Sequence, residues 1–344
     1  MEHHDLIGHE GDVTCLAVSP SGALVASGGR DGSVRVWHPA TGKSVHVLDG
    51  HTRPVNAVQF VSESMVVSAS ADTTLRVWSL ADGSAQVLGG HEQIVTGVAV
   101  VPGHRIVSAS ADGTLRRWRL DDGTCEAVFG TVLDPDSDTD WVNEVHLLAV
   151  AADGRLAITD GGGGAYLRLW DLPKGGDVGI PGRYLPEPRH WCLGGSVLVR
   201  PDAGGGVSLF GLPDRDLRAS LPGWGPGVLA VDGARLWAVD ADGVLSTLDL
   251  GSLAVSHHPG LLPFAAVLAV TQTEAGPCAA GRGRDGQLLV AWPDLGHGVA
   301  LAPLAARTPV VATRGSEACL LAVDGARVRC WRLDEVLATT AVSA

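Results

Sequence analysis

The sequence predicts an all-β protein built from a repeated unit of about 40 residues. Three segments resemble one another closely, and each ends in tryptophan: "ASGGRDGSVRVW", "SASADTTLRVW" and "SASADGTLRRW". Short runs of β-branched and apolar residues alternate with turn signals. The composition, with 46 glycines, 19 prolines and 5% aromatic residues, suits many short strands and turns better than a helical bundle. No stretch keeps a sustained helical period, so no helix is predicted.

Five weaker copies follow the three regular repeats. The third-strand positions that mark the eight copies are Trp37, Trp78, Trp118, Trp170, Phe210, Leu248, Trp292 and Trp331. Intervals between them run from 38 to 44 residues, except for one of 52 residues between Trp118 and Trp170. The spacing predicts eight repeats. The fifth copy is the most degenerate, which leaves seven as the alternative.

Each repeat reads as four strands separated by turns. In the second repeat the runs "VNAVQFV", "MVVSAS", "TLRVWSL" and "AQVLGG" are strand-like. The segments "SES", "ADT" and "ADGS" between them carry turn residues. A four-stranded antiparallel sheet is therefore the predicted unit.

These repeats resemble the WD-repeat (WD40) β-propeller family, whose blades are four-stranded sheets of about 40–45 residues. The resemblance implies one closed propeller over residues 1–344, with regular blades at about 1–125, degenerate blades at about 126–344 and an acidic insertion at 130–141. The segment "DLIGH" near the N-terminus matches the end of a fourth strand, as in "VLDGH". It is predicted to complete the last blade and close the ring. The tail "VLATTAV" could compete for the same edge.

The resemblance also implies a buried tetrad of His, Ser, Asp and Trp in each regular repeat. The three sets are His9, Ser27, Asp31 and Trp37; His51, Ser68, Asp72 and Trp78; and His91, Ser108, Asp112 and Trp118. Ser, His and Asp also form hydrolase triads, but a triad has no reason to recur once per repeat. A buried polar network must be satisfied in every blade, so we predict a structural role.

Composition and charge narrow the setting of the protein. The formal net charge of −13 disfavours general nucleic-acid binding. The six cysteines are scattered without a CxxC pair, which predicts a reducing, cytoplasmic compartment and no structural zinc. The start "MEHHDLIGHE" is no signal peptide, and no uninterrupted apolar run reaches membrane-spanning length. No cofactor is predicted, and the composition, with two lysines among 25 basic residues, resembles that of high-GC bacterial proteins.

The first functional hypothesis is a non-catalytic interaction scaffold. In the WD-repeat family the scaffold itself says little about function, and loops at the top face make the contacts. A partner protein or peptide would then contact a set of polar residues near that face: Asp12, Arg30, Arg53, Asn56 and Thr96.

The second hypothesis is a small-molecule binder or an enzyme of cyclisation or rearrangement type. Aromatic residues at or before the first strand of repeats four to seven could line a pocket at the channel mouth: Trp141, Trp191, Trp224 and Phe264. Neighbouring groups could then act as acid and base: Asp140, Glu144 and His190. The alternative is that each aromatic packs under its own loop and fills the place of the missing tetrad.

The third hypothesis concerns the aspartate run "LDPDSDTDW" inside the 52-residue interval. An EF-hand would need glycine at the sixth position and glutamate at the twelfth, where Thr139 and Val145 stand. A looser calcium site would use Asp134, Asp136 and Asp138. The other interpretation is a solvated acidic lip that is available to a basic partner.

Overall fold

The computed structural model describes most of the chain. The described residues are 3–130, 145–151, 153–161, 166–177, 192–194, 197–202, 206–211, 216–221, 230–231, 235–240, 242–259, 261, 264–295, 297–303, 310–313 and 318–341.

Within these residues the chain forms eight four-stranded sheets and one short α-helix, so the predicted all-β fold of propeller type is confirmed. Every predicted marker, from Trp37 to Trp331, lies on the third strand of its sheet. That the sheets form one closed ring of eight blades stays a prediction. Two compact units of chain can be distinguished and are taken in turn.

The first unit comprises Ile7–His38 and Lys43–Arg189 and holds sheets 1 to 4. Sheet 1 consists of β2 (Val13–Val18), β3 (Val25–Gly29), β4 (Val34–His38) and β5 (Lys43–Leu48). Sheet 2 consists of β6 (Val55–Ser62), β7 (Met65–Ser70), β8 (Leu75–Ser79) and β9 (Ala85–Leu88). Sheet 3 consists of β10 (Val95–Val101), β11 (Arg105–Ser110), β12 (Thr114–Arg119) and β13 (Cys125–Gly130). Sheet 4 consists of β14 (Val145–Val150), β15 (Leu156–Gly161), β16 (Tyr166–Asp171) and β17 (Gly176–Asp177).

Strands in each of these sheets pair in chain order, and the second and third strands meet at a tight turn. In sheet 1 this turn holds Gly32 at φ +80°. A Cβ atom on Gly32 would lie only 2.8 Å from the carbonyl oxygen of His51, so both the backbone and the close approach require glycine there. The "DG" signal therefore marks the end of the sheet that faces the loop into the next repeat. We call this end, in sheets 1 to 3, the tetrad end.

The first strands of sheets 1 to 3 are bulged at one equivalent position. The register shifts between Val13 and Cys15 in sheet 1, and at Asn56 and Thr96 in sheets 2 and 3. A bulge adds one unpaired residue and turns its side chain away from the ladder. Thr14, at the bulge of sheet 1, donates its hydroxyl hydrogen to the Val55 carbonyl in the first strand of sheet 2. The bulge thus supplies a hydrogen bond between neighbouring sheets.

Apolar side chains fill the space between consecutive sheets of this unit. Sheets 1 and 2 share a cluster that includes Val36, Phe60 and Trp78, while Ile106 and Trp118 belong to the next cluster along. These strands are buried on both faces, which explains their continuous apolar runs. The core is therefore distributed between the sheets.

The second unit comprises Met1–Leu6, Pro39–Gly42 and His190–Ala344 and holds sheets 5 to 8. Sheet 5 consists of β18 (Cys192–Gly194), β19 (Val197–Asp202), β20 (Gly206–Gly211) and β21 (Leu217–Leu221). Sheet 6 consists of β22 (Ala230–Val231), β23 (Arg235–Val239), β24 (Leu245–Asp249) and β25 (Val255–His258). Sheet 7 consists of β26 (Phe264–Thr273), β27 (Gly276–Gly283), β28 (Gln287–Trp292) and β29 (His297–Pro303). Sheet 8 consists of β30 (Val310–Ala312), β31 (Cys319–Asp324), β32 (Arg327–Arg332) and β1 (His4–Ile7).

Sheet 8 joins the two ends of the chain, because β1 lies beside β32 in the place of a fourth strand. Two polar contacts hold β1 there. The His4 ring donates from Nε2 to the Pro39 carbonyl at 2.6 Å, and Arg327 Nη1 lies 3.5 Å from the Asp5 carboxylate. The N-terminal strand is thus bound both through the backbone ladder and through its side chains.

Helix α1 (Leu333–Ala341) corrects the expectation of a tail without helix. Leu333 and Val336 are buried against a cluster of sheets 7 and 8 that contains Trp292 and Trp331. Leu333, Val336 and Leu337 stand at helical spacing, and Asp334 and Glu335 lie in the first turn, where the helix dipole favours negative charge. A segment of nine residues is too short for its period to stand out in the sequence, and it does not compete with β1 for the edge of β32.

Free thiols are found at five cysteines: Cys15, Cys125, Cys278, Cys319 and Cys330. Burial raises the pKa of Cys15 to about 11, so this side chain stays protonated and packs as a small apolar group. In the described part of the chain no helix has the length and apolar character that a membrane span needs.

The burial of α1 can be tested by placing a charge on it. Val336 is 3% exposed, so Val336→Asp should lower the free energy of unfolding by about 2 to 4 kcal/mol because an unpaired carboxylate enters the core. Ala338→Asp on the exposed side of the same helix is the matched control and should change it by under about 0.5 kcal/mol. Urea denaturation measures both. Equal stabilities of the two variants would contradict the packing of α1.

Candidate functional site

Each of the three regular sheets carries a chain of hydrogen bonds through four side chains. In sheet 1, Trp37 Nε1 lies 2.9 Å from Ser27 Oγ, which lies 2.8 Å from His9 Nε2, and His9 Nδ1 lies 3.0 Å from Asp31 Oδ2. In sheets 2 and 3 each of the three equivalent distances is 2.8 Å. The residues predicted as tetrads are therefore in direct contact in all three sheets.

The chemistry of the end groups fixes the direction of this chain. An indole N–H can only donate, so Ser27 Oγ accepts from Trp37 and uses its own hydrogen toward His9 Nε2. The Asp31 carboxylate can only accept, so His9 carries its proton on Nδ1. Ser27 and His9 thus each donate one hydrogen bond of this chain and accept another, Trp37 only donates and Asp31 only accepts, and the buried imidazole is neutral.

The aspartate at the end of each chain ties two loops together. Asp31 accepts hydrogen bonds from the backbone N–H of Glu10 at 2.8 Å and from that of Ser33 at 3.0 Å. Asp72 does the same for Thr52 at 3.1 Å and Thr74 at 3.0 Å. The loop that enters the first strand is thereby fixed to the turn between the second and third strands. The backbone from which the exposed side chains of these loops project is therefore held in place.

Burial and hydrogen bonding shift the pKa values of both partners. Burial lowers the pKa of His9, His51 and His91, and the facing aspartate only partly offsets it. Burial alone would raise the pKa of Asp31, but hydrogen bonds from Ser33, Glu10 and His9 outweigh it and hold it at about 2. The pKa of Asp72 is also about 2, since its hydrogen bonds similarly outweigh burial. At neutral pH the aspartates are charged and the histidines are not.

The Gly-His pair that opens each repeat also has a physical reason. A Cβ atom on Gly50 would lie 2.5 Å from Nη1 of Arg76, whose guanidinium sits over the ring of Trp78 at 5.6 Å from the centroid. Gly8 and Gly90 leave the same room for the equivalent arginines of sheets 1 and 3. The glycine therefore admits an arginine that covers the tryptophan of the tetrad.

The tetrads cannot act as catalytic triads. Their serines, Ser27, Ser68 and Ser108, are fully buried. A nucleophile must reach its substrate, and here each hydroxyl is already engaged by tryptophan and histidine. These side chains are structural.

Three of the predicted contact residues lie exposed at the tetrad end: Asp12, Arg30 and Arg53. Arg30 Nε lies 3.8 Å from the Asp12 carboxylate, with the two side chains 67% and 65% exposed. The Arg30 backbone N–H also donates to the Asp12 carbonyl at 2.8 Å. Two neighbouring loops of sheet 1 thus present a fixed pair of opposite charges, to which sheet 2 adds Arg53.

The other two predicted contact residues use their polar groups inside the fold. Asn56 donates from Nδ2 to the Val95 carbonyl at 2.9 Å, and Thr96 donates to the Ala109 carbonyl at 3.1 Å. Both are half-buried residues at the bulges of the first strands. At the loop position equivalent to Asp12, sheet 3 instead exposes Ile94, 41% accessible, which adds an apolar contact to the surface.

The expectation that Phe264 lines a pocket is corrected. Phe264 is 1% exposed and packs in a cluster with Trp237, Leu245 and Leu289 between sheets 6 and 7. Its partner in register is Gly283, which has no side chain to compete for the space. Phe264 therefore fills a core position that has no His–Asp pair, as the alternative interpretation held.

The remaining candidates lie outside the described residues. These are the aromatics Trp141, Trp191 and Trp224, the acid–base candidates Asp140, Glu144 and His190, and the calcium candidates Asp134, Asp136 and Asp138.

One charged cluster was missed by the sequence reasoning. In sheet 3 the carboxylate of Glu126 receives Nε of Arg105 at 2.8 Å, of Arg117 at 3.2 Å and of Arg119 at 3.0 Å. The signal was present in "LRRWR", where the first two repeats read "VRVWH" and "LRVWS". In the sequence this segment matches the third strand of a tetrad repeat, a pattern that predicts a role for Trp118 and none for the arginines beside it.

Comparison with known proteins gives matches to three segments of the chain. The family model described as "WD domain, G-beta repeat" matches residues 2–38, 42–79 and 83–119. The chain is 44% identical over 74 residues to Periodic tryptophan protein 2 of Saccharomyces cerevisiae, covering 21% of this chain and 8% of that protein. It is 35% identical over 75 residues to the SIR4-interacting protein SIF2 of the same yeast, covering 22% and 14%. It is 37% identical over 76 residues to the small ribosomal subunit protein RACK1 of Caenorhabditis elegans, covering 22% and 23%.

The matched segments thus span less than a quarter of the length of each of these three relatives. Among solved structures, the chain resembles the computationally designed Ika8 protein with a TM-score of 0.69 and 20% identity, covering 95% of this chain and 98% of that one. At this identity the likeness concerns the fold alone.

The hydrogen-bond chain can be tested at its central residue. Ser68→Ala leaves Trp78 Nε1 and His51 Nε2 without a partner in a buried place, so the free energy of unfolding should fall by about 2 to 4 kcal/mol. Ser84→Ala, which removes an exposed hydroxyl bonded to Asp82, should cost under about 0.5 kcal/mol. Urea denaturation compares the two. A loss for Ser68→Ala no larger than for Ser84→Ala would show that the chain contributes nothing to stability.

Acid should destabilise the protein in two stages. Because the pKa values of the buried histidines are lowered, the unfolded chain binds protons below pH 6.5 that the folded chain refuses, and stability falls as pH drops. Because the pKa values of Asp31 and Asp72 are about 2, a second fall begins below their ordinary value of 3.8. Tm measured between pH 7.5 and 3 should show both stages.

A variant distinguishes the tetrad histidines from other groups in this measurement. His91→Gln lowers Tm at pH 7.5, but its further loss between pH 7.5 and 5 should be smaller than that of the wild type, because one buried titrating group is gone. An identical slope in the two proteins would assign the first stage to other residues.

Proposed function

We propose that this chain, which carries three WD repeats, is a non-catalytic scaffold that binds a partner protein or peptide at the tetrad end of its sheets. The observation that carries the proposal is the set of exposed charges on loops that the buried tetrads hold in place. Asp12, Arg30 and Arg53 project from these loops, and the aspartates Asp31 and Asp72 fix the loop backbones.

Rigid loops favour binding because a partner then loses little free energy in ordering them. Side chains that are already positioned by the fold need no further backbone ordering on association. The opposite charges of Asp12 and Arg30, with Arg53 nearby in sequence on the next repeat, select partners by electrostatic complementarity. Ile94 adds the apolar contact that such surfaces use. The bidentate guanidinium groups favour a partner that presents carboxylates.

The names of the relatives agree with a role in assembly. SIF2 is named as a protein that interacts with SIR4, and RACK1 is named as a protein of the small ribosomal subunit. The family model matches the three regular repeats, which carry the proposed surface. A cytoplasmic setting is part of the proposal and is supported by the free thiols. The composition resembles that of high-GC bacterial proteins, whereas these relatives are eukaryotic proteins.

A combined variant tests the proposed surface. Asp12→Ala/Arg30→Glu/Arg53→Glu should lower the amount of partner recovered by affinity pull-down from the native host by at least about tenfold, because the charges of the surface are removed or reversed. Its Tm should stay near that of the wild type, since all three side chains are exposed. Mass spectrometry of proteins and small molecules in the eluate is the measurement.

The matched control is Arg218→Glu, which reverses one exposed charge on β21 of sheet 5. It should recover the partner as the wild type does. Equal recovery by the combined variant would place the contact elsewhere on the protein. A small molecule without any stoichiometric protein would overturn the scaffold proposal.

A further inference from the structure

The arginine cluster of sheet 3 lies at the end of the sheet opposite to the tetrad end. Arg105 opens β11 and pairs in register with Arg119 at the close of β12. Arg117 lies two residues before Arg119, so the three side chains share one face of the sheet. Glu126 stands in a bulge of β13 beside them. None of these residues belongs to the surface proposed above.

Sheet 2 shows which side chains suffice for packing between sheets at the positions of these arginines. The residues equivalent to Arg105 and Arg117 in sheet 2 are Met65 and Val77, which belong to the apolar cluster shared with sheet 3. Arg117 replaces part of that contact by donating from Nη1 to the Leu172 carbonyl of sheet 4 at 2.9 Å. Among the described residues, Arg105 and Arg119 make no such bridge, and their recorded contacts lie within sheet 3 and its turns.

The cluster holds an excess of positive charge in a chain of net charge −13. Three arginines face Glu126 and Asp122, the latter 3.0 Å from Nη1 of Arg119. One positive charge therefore remains uncompensated within the cluster. The hydrogen bond from Arg105 lowers the pKa of Glu126, so its carboxylate is ionised and the count applies at neutral pH.

The two outer arginines retain free donor capacity. Arg105 uses Nε for Glu126 and Nη1 for the Gly103 carbonyl, and Arg119 uses Nε for Glu126 and Nη1 for Asp122. Within the described residues Nη2 of both has no recorded hydrogen bond. The side chains are 37% and 42% exposed, while Glu126 is 11% exposed. The glutamate thus holds the two guanidinium groups from behind and leaves their outer edges to solvent.

We propose that Arg105 and Arg119, held by Glu126, form a second binding site, which takes a carboxylate side chain from an acidic segment of a partner protein. One added carboxylate neutralises the single uncompensated charge, and its two oxygens can accept the free Nη2 donors. A dianionic group fits less well, because the Asp122 carboxylate already lies beside Arg119. The site does not rest on the proposed function at the tetrad end.

The test uses fluorescein-labelled hexaglutamate peptide and the full chain, with fluorescence anisotropy at low salt. Arg105→Gln/Arg119→Gln should weaken binding at least about tenfold, because the two positive charges and their free Nη2 donors are lost. Arg218→Gln/Arg284→Gln is the matched control, with two exposed arginines removed on sheets 5 and 7, and should bind as the wild type does. If the cluster variant keeps the affinity of the wild type, the second site is overturned, and a loss of binding in Arg30→Gln/Arg53→Gln would then assign the peptide to the tetrad-end surface.

Two further measurements bear on the chemistry. Glu126→Gln keeps the size of the side chain but removes the charge that holds the two guanidinium groups, so the affinity for hexaglutamate should fall severalfold; an unchanged or higher affinity would contradict the role given to Glu126. A hexaserine peptide carrying one phosphoserine should bind no more tightly than hexaglutamate. Tenfold tighter binding of the phosphopeptide, lost in the cluster variant, would replace the carboxylate by a phosphate as the preferred group.

Discussion

The buried chain of hydrogen bonds from tryptophan through serine and histidine to aspartate is the constraint on which the regular part of the protein depends. Each of these hydrogen-bond chains starts at a buried tryptophan and ends in a carboxylate, which accepts hydrogen bonds from backbone N–H groups of two loops. A polar network in the core is favourable only when every member is satisfied, and here each atom has one defined role. The same requirement explains the glycine before each histidine, since Gly50 makes room for the arginine that covers Trp78. Core, loops and exposed charges are therefore linked by one interaction.

The later sheets keep only part of this hydrogen-bond chain or fill its place with apolar side chains. In sheet 4, Trp170 donates to Thr159 at 2.9 Å, which keeps the first bond of the chain with threonine in place of serine. Between sheets 6 and 7, Phe264 and Trp237 are fully buried in an apolar cluster. Apolar packing holds a sheet without fixing a particular loop, because it is not directional.

The sequence was sufficient for the fold class, the four strands of each repeat and the third-strand position of every marker, because turn residues and strand periodicity are local signals. The contacts of the tetrads follow from the same regularity.

Phe264 could not be placed, since an aromatic residue before a strand can face a pocket or the core, and only its neighbours decide. The sequence predicts Asn56 and Thr96 as surface residues, because the bulge that places them against neighbouring backbone leaves no mark in the sequence. Helix α1 was not predicted, because nine residues hold too few turns to show a period. The arginine cluster depends on register between β11 and β12, which spacing alone does not give.

The pairing of β1 with β32 cannot form until β32 has been synthesised. The two strands lie far apart in the sequence, so β1 leaves the ribosome long before its partner. At about 5–20 residues per second, β1 waits on the order of tens of seconds with unpaired backbone groups. An open strand edge is a template for pairing with other chains, and polar side chains such as those of His3, His4 and Asp5 reduce that hazard. Among the described sheets, sheet 8 joins the strands that lie farthest apart in the sequence, and closing so long a loop is slow. Its assembly determines how long a nascent chain is exposed to aggregation and to chaperones.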